Sequence, residues 1–147
     1  MLLEFCVKNF LSLKDEAKLS FIASTLKESL QEENDLINDL AIGLSVLRSA
    51  VIYGANASGK SNVLKALSFY KRFITDSFIN SQAGKLIDVE GFRLNTQTEN
   101  DPTTMEATFI VGDFIYRFGF EVDRKSVREE WLYQRANRKR AKEVELF

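Results

Sequence analysis

The sequence predicts a mixed α/β fold, and three observations predict it. Residues near the N-terminus alternate apolar and polar with a period of two. An apolar run, a glycine loop and an amphipathic helical pattern follow one another in the middle of the chain. The last third holds three Phe/Val/Ile/Tyr-rich segments separated by tight turns. These give an antiparallel hairpin over 1–23, a strand and helix over 45–80, and an antiparallel meander over 104–147, built as one domain.

The hairpin rests on Leu3, Phe5 and Val7, which alternate with Glu4, Cys6 and Lys8. Ala17, Leu19 and Phe21 alternate with Lys18 and Ser20 in the same way. That pattern buries one face of each strand, and Asn9 to Glu16 reads as the connection between them. In residues 24–44, Leu26, Leu30, Leu36, Ile37 and Leu40 are interleaved with Glu28, Glu32, Glu33, Asp35 and Asp39. This stretch reads either as a short amphipathic helix or as a solvated acidic excursion. The carboxylates read as a wet face rather than a metal site.

The stretch Gly54-Ala55-Asn56-Ala57-Ser58-Gly59-Lys60-Ser61 satisfies the phosphate-loop pattern without a mismatch. A random chain of this length matches about once in two hundred tries at ordinary residue usage, so context decides. Leu47 to Tyr53 reads as a buried strand running into the loop, and Ser61 to about Asn80 as a helix leaving it. Small residues at Gly54, Ala55, Ala57 and Ser58 let the backbone curl so that N–H dipoles and a helix N-terminus face a polyphosphate. Lys60 is placed to reach the β- and γ-phosphates, and the Ser61 hydroxyl to ligate Mg²⁺. The plainer reading is a glycine-rich turn capping a helix, which needs neither Lys60 nor Ser61.

Val63, Leu67, Tyr70, Ile74 and Phe78 form an apolar stripe along the helix, flanked by Ala66 and Phe73. It packs against the sheet, with Lys65, Lys71, Arg72 and Asp76 outward, and Gly84 lies just past the end. Phe92 and Leu94 suggest a short strand, and Asn95 to Pro102 is rich in turn residues. The meander strands are Met105 to Val111, Phe114 to Val122 and Val127 to Tyr133, joined by Gly112-Asp113 and Asp123 to Ser126. A basic run, Arg135, Arg138, Lys139, Arg140 and Lys142, reads as a further turn. Val144, Leu146 and Phe147 read as the start of another strand, so the chain is expected to be the front part of something longer.

Composition narrows the chemistry. The chain has 147 residues, 45% of them hydrophobic, with twelve Phe to supply a core. Twenty basic residues against 21 acidic ones give no bulk pull toward nucleic acid. The absence of histidine excludes Ser-His-Asp catalysis and His-ligated metals within these residues. One cysteine, Cys6, excludes an intrachain disulfide and suits a reducing compartment. No run approaches membrane-spanning length, so no membrane partner and a cytoplasmic location are expected.

Glu4 to Asp15 resembles the opening strand and turn of ABC-type ATPases of the SMC and RecF kind. Gly54 to Ser61 together with Asn62 resembles their phosphate loop, and Glu129-Glu130-Trp131-Leu132-Tyr133 a strand of their meander. The nearest group is the AAA-15/AAA-21 type of bacterial ATP-binding proteins, which includes abortive-infection and OLD-like anti-phage ATPases. The resemblance implies the N-terminal lobe of an ABC-type P-loop NTPase, binding ATP and Mg²⁺ through Gly54, Ala55, Asn56, Ala57, Ser58, Gly59, Lys60, Ser61 and Asn62. It further implies action as a homodimer or with the remainder of the ATPase, on DNA or an effector protein. Many SMC-like members carry an Arg that helps hold the nucleotide where Leu11 stands here, with Lys14 of this chain a candidate to replace it, and often Gly where Ala57 stands. The Asp-Glu-terminated strand, the Ser-Gly-Gly signature and the switch histidine of the superfamily have no counterpart in these residues. Phe109-Ile110-Val111-Gly112-Asp113 looks like the first of these but is better explained as a hairpin turn. The chain alone is therefore expected to bind ATP without turning it over, and no catalytic residue is identified.

Two other functions compete. Asp88-Val89-Glu90-Gly91 fits the GTPase Asp-x-x-Gly element, though no Asn-Lys-x-Asp follows, and a kinase would need a carboxylate and an Arg-rich lid where the meander lies. A scaffold or nucleic-acid module would use the basic run at 135–142.

Overall fold

The computed structural model describes residues 1–23, 36–37, 43–80, 86–94 and 101–147, with backbone alone at 36 and 76–80. The readings placed on 24–35, on 38–42, on Gly84 and on 95–100 lie outside those residues, as do those on the side chains of Asp76 and Phe78. The elements run β1 (Leu2–Lys8), β2 (Ala17–Ser20), β3 (Leu36–Ile37), β4 (Val46–Leu47), α1 (Lys60–Asn80), β5 (Thr103–Val111), β6 (Phe114–Val122), β7 (Val127–Ala136) and β8 (Val144–Glu145).

Six strands form one sheet in the order β2-β1-β5-β6-β7-β8, every neighbouring pair antiparallel. The N-terminal strand is therefore internal, held between its own hairpin partner and a strand about a hundred residues away. Val7 lies opposite both Ala17 and Met105, and Phe5 opposite both Leu19 and Ala107. Phe5, Val7, Met105, Ala107, Phe120 and Val122 make one face of the sheet, and α1 covers it with Ala66, Phe69 and Tyr70. Tyr70 stacks on Phe120 at 5.4 Å between centroids and meets Phe5 edge-on at 5.5 Å. Phe69 belongs to the buried stripe although the sequence reading passed over it, because the helix lies with positions 66, 69, 70 and 73 inward. Lys65, Lys71 and Arg72 are exposed. A smaller cluster gathers Leu3, Val46 and Ile115, and a bulge between Leu2 and Glu4 sets Leu3 into it.

The buried Tyr70 hydroxyl donates to the Phe118 carbonyl at 3.0 Å. Burial, reinforced by the negative charge of Glu106, pushes its phenol well above the ordinary tyrosine range. The folded state then prefers the neutral phenol, while the unfolded chain ionises near pH 10. Tyr70 therefore stabilises fully below pH 10 and loses that contribution as pH rises, by about 1.4 kcal/mol at pH 11. Tyr70→Phe is expected to cost about 1 kcal/mol at pH 7 and to flatten this alkaline slope, as urea denaturation at pH 8 and pH 11 will show.

Two sequence expectations are corrected. Leu47 to Tyr53 is not a buried strand. Regular pairing stops at Leu47, where the chain bonds to Phe21 and Ala23, and Val51 and Tyr53 are 71% and 87% exposed. Their apolar side chains match a strand, but among the described residues none lies alongside to accept their hydrogen bonds. Phe92 and Leu94 form no strand either: the Phe92 amide is taken by the Asn9 side chain at 2.9 Å, and Leu94 is exposed.

Candidate functional site

Residues 54–59 turn the chain into α1, whose first residue is Lys60. Gly54 has φ 156°, and a Cβ there would stand 2.8 Å from Ser58 Oγ. Gly59 has φ 88°, and a Cβ there would press on Ser12 Oγ at 3.2 Å and Leu13 Cδ2 at 3.3 Å. Both positions thus demand glycine, one for curvature within the loop and one for close approach of the hairpin turn. Ala57 also takes a left-handed φ of 63°, the position where related loops often place glycine.

The Lys60 ammonium folds back into this loop. It donates to the Gly54 carbonyl at 2.7 Å, to the Ala55 carbonyl, and to Ser58 Oγ at 3.4 Å. The charge therefore sits over the loop and not in bulk solvent. The Ser58 amide donates to Ala55 O, and the Asn62 and Val63 amides close the first helical turn on Gly59 O. The amides of Asn56, Ala57, Gly59, Lys60 and Ser61 find no acceptor among the described residues. Orphan donors at a helix start are the groups that receive an anion. Ser61 is exposed, and Asn62 Nδ2 donates to Ser12 Oγ at 2.7 Å. The nine expected residues are thus contiguous at one helix end.

The hairpin turn lies beside the loop and builds the wall of the site, through Ser12 and Leu13 against Gly59 and not through a cation at the position of Leu11. Asn9 and Leu11 adopt φ values of 53° and 50°. Asn9 is 4% exposed; its Nδ2 donates to Asp101 O at 2.7 Å and Pro102 O at 3.3 Å, and its Oδ1 accepts from Phe92 N. Thr103 Oγ1 donates to Asn9 O at 2.6 Å, and the Leu11 amide donates to Glu90 O. The local signal was an asparagine in a turn, a residue that tolerates left-handed backbone. Lys14 is exposed, and Leu11 lines a groove with Phe10, Leu64 and Phe69.

Positions elsewhere in the sheet sort the remaining candidates. The loop lies at the end where β1 finishes and β5 begins. Asp113 sits in the turn after β5, nine residues of strand away, roughly 25–30 Å at the rise of a β-strand. It is no partner for a metal at Ser61. The basic run lies toward that distant end as well, since Ala136 pairs with Phe114. Asp88 stands 3.7 Å from Arg72, which is about 18 Å along the helix from Lys60, too far to serve as a GTPase switch at the loop. Among the described residues no group of three or more His, Cys, Asp or Glu gathers, and no helix is long and apolar enough to cross a membrane.

An all-antiparallel sheet backed by a single helix, where a mixed sheet was expected, carries a glycine loop and a lysine at the helix start, and these fit a nucleotide-binding domain of the P-loop ATPase type. The chain belongs to the family described as "AAA domain, putative AbiEii toxin, Type IV TA system", which matches residues 49–145 and so takes in the loop, the helix and the meander. Searches among curated proteins and among solved structures find no match.

Proposed function

We propose that the chain binds Mg-ATP as the N-terminal lobe of an SMC/ABC-like ATPase, with residues 54–62 holding the polyphosphate. The observation that carries this is the Lys60 ammonium, already gathered over a loop whose two glycines are required by backbone geometry. Phosphate oxygens offer that ammonium stronger acceptors than the Gly54 and Ala55 carbonyls it now uses, and the five orphan amides complete the grip. The donor set suits Mg²⁺ held by one hydroxyl, that of Ser61, and otherwise by the triphosphate, an arrangement this hard cation favours. Bound Mg²⁺ would neutralise charge on the phosphates. The chain's own residues position the nucleotide, and Asp113 lies too remote from the loop to take part in its turnover. Turnover belongs to an assembled form, a homodimer or the remainder of the ATPase. The family description also makes a role in toxin–antitoxin or anti-phage defence, through an effector or DNA, the biological reading we favour.

Mg-ATP at a hundredfold its Kd should stabilise the fold by about 2.7 kcal/mol, raising Tm by roughly 5–10 °C for a chain of this size. A thermal-shift comparison of ATP and GTP with Mg²⁺ tests this. A shift with GTP alone, or with neither nucleotide, overturns the proposal.

A further inference from the structure

A cavity of about 580 Å³ opens beside the turn between β6 and β7, on the same end of the sheet as the phosphate loop but separated from it by the Asn9 turn. Arg124, Lys125 and Arg128 come from the turn and the start of β7, and Arg93 stands on the wall formed by 89–93. Three carboxylates, Glu90, Asp101 and Asp123, also line it, so the cations exceed the anions by one. The pairing among them is uneven. Asp123 Oδ1 accepts from the amides of Lys125 and Ser126, and its Oδ2 accepts from Arg128 Nε at 2.6 Å. Those donors hold the Asp123 carboxyl below the usual carboxylate range. The contact also fixes Arg128 through Nε and leaves both terminal nitrogens with no partner among the described residues. Arg93 reaches Glu90 only at 4.0 Å. Arg124 and Lys125 side chains have no described partner, and the Arg124 carbonyl is fixed by the Ile87 amide, which anchors the turn.

We infer that this cavity is a second oxyanion site, separate from the phosphate loop, that takes the phosphate group of a small phosphorylated ligand. A guanidinium oriented by its own carboxylate and offering two free nitrogens matches a phosphate bidentately. Arg124 and Lys125 supply the charge that compensates its desolvation. The net excess of one cation and the limited volume of this open cavity favour a single phosphate over a polymer, because a nucleic-acid track needs an extended basic stripe.

The test uses the full chain carrying Lys60→Ala, which disables the loop, and measures binding of pyrophosphate and ribose 5-phosphate by calorimetry. Both are expected to bind, and Arg124→Gln with Lys125→Gln is expected to weaken binding by about tenfold or more. These two side chains lie in an exposed turn, and an unchanged urea midpoint will show that the fold is kept. Loss of all binding with Lys60→Ala alone, or binding indifferent to the turn substitutions, overturns the assignment. A short single-stranded oligonucleotide that displaces pyrophosphate more strongly than ribose 5-phosphate does moves the source to a nucleic-acid backbone and overturns the small-ligand assignment.

Discussion

Lys60→Ala is expected to weaken Mg-ATP binding by about two orders of magnitude, close to 3 kcal/mol, while leaving stability within about 0.5 kcal/mol of the parent chain. The two effects separate because of what the lysine touches. Its acceptors, the carbonyls of Gly54 and Ala55, belong to exposed residues that water can satisfy when the ammonium is removed. A triphosphate has no such substitute, since the ammonium is the one full positive charge the loop contributes. Calorimetric titration gives the affinity and urea denaturation the stability. Retained affinity would show that the loop is only a helix cap. Equal losses in both would show that Lys60 serves the fold.

Asn9→Ala is expected to cost about 3 kcal/mol, seen as a fall in Tm of roughly 6–12 °C. The buried side chain satisfies an amide from Phe92 and carbonyls of Asp101 and Pro102, so alanine strands polar groups on two segments at once. The backbone adds to this, because φ 53° suits asparagine and strains alanine by about 1 kcal/mol. Asn9→Gly removes the strain but not the orphaned groups, and should recover about a third of the loss. If alanine and glycine behave alike, the hydrogen bonds alone account for the cost. If alanine is tolerated, the turn is not the joint described above. Because Ser12 and Leu13 of this turn lie beside Gly59, the alanine variant should also bind ATP less well.

Much of this arrangement was legible in the residues because it is periodic. Leu3, Phe5 and Val7, and the alternation from Phe114 to Glu121, announce strands through a period of two, and the β-meander follows from its turn residues. The helix shows through its 3.6-residue stripe. What failed was whatever depended on a partner distant in sequence. Val51, Ile52 and Tyr53 have a strand's composition, but composition does not reveal whether another strand lies beside them. Asn9 read as an ordinary turn residue because its partners stand more than eighty positions away. Asp88 to Gly91 looked like a switch element until Arg72 fixed Asp88 far down the helix from the loop. Asp123 likewise looked like turn chemistry and Arg128 like an ordinary strand residue, and only their contact at 2.6 Å shows a guanidinium held with its far nitrogens uncommitted.

The internal position of β1 bears on the order of assembly. The strand is synthesised about a hundred residues ahead of β5, so Lys8 must wait for Thr104 and Leu2 for Phe109 before the middle of the sheet can close. Helix and meander, whose contacts are nearer in sequence, have the smaller loop-closure penalty and are placed to form earlier. Until β1 docks, β5 presents an open edge of unpaired amides that invites a neighbouring nascent chain. The nucleotide loop, walled by the turn that follows β1, would then be among the last parts of the molecule to mature.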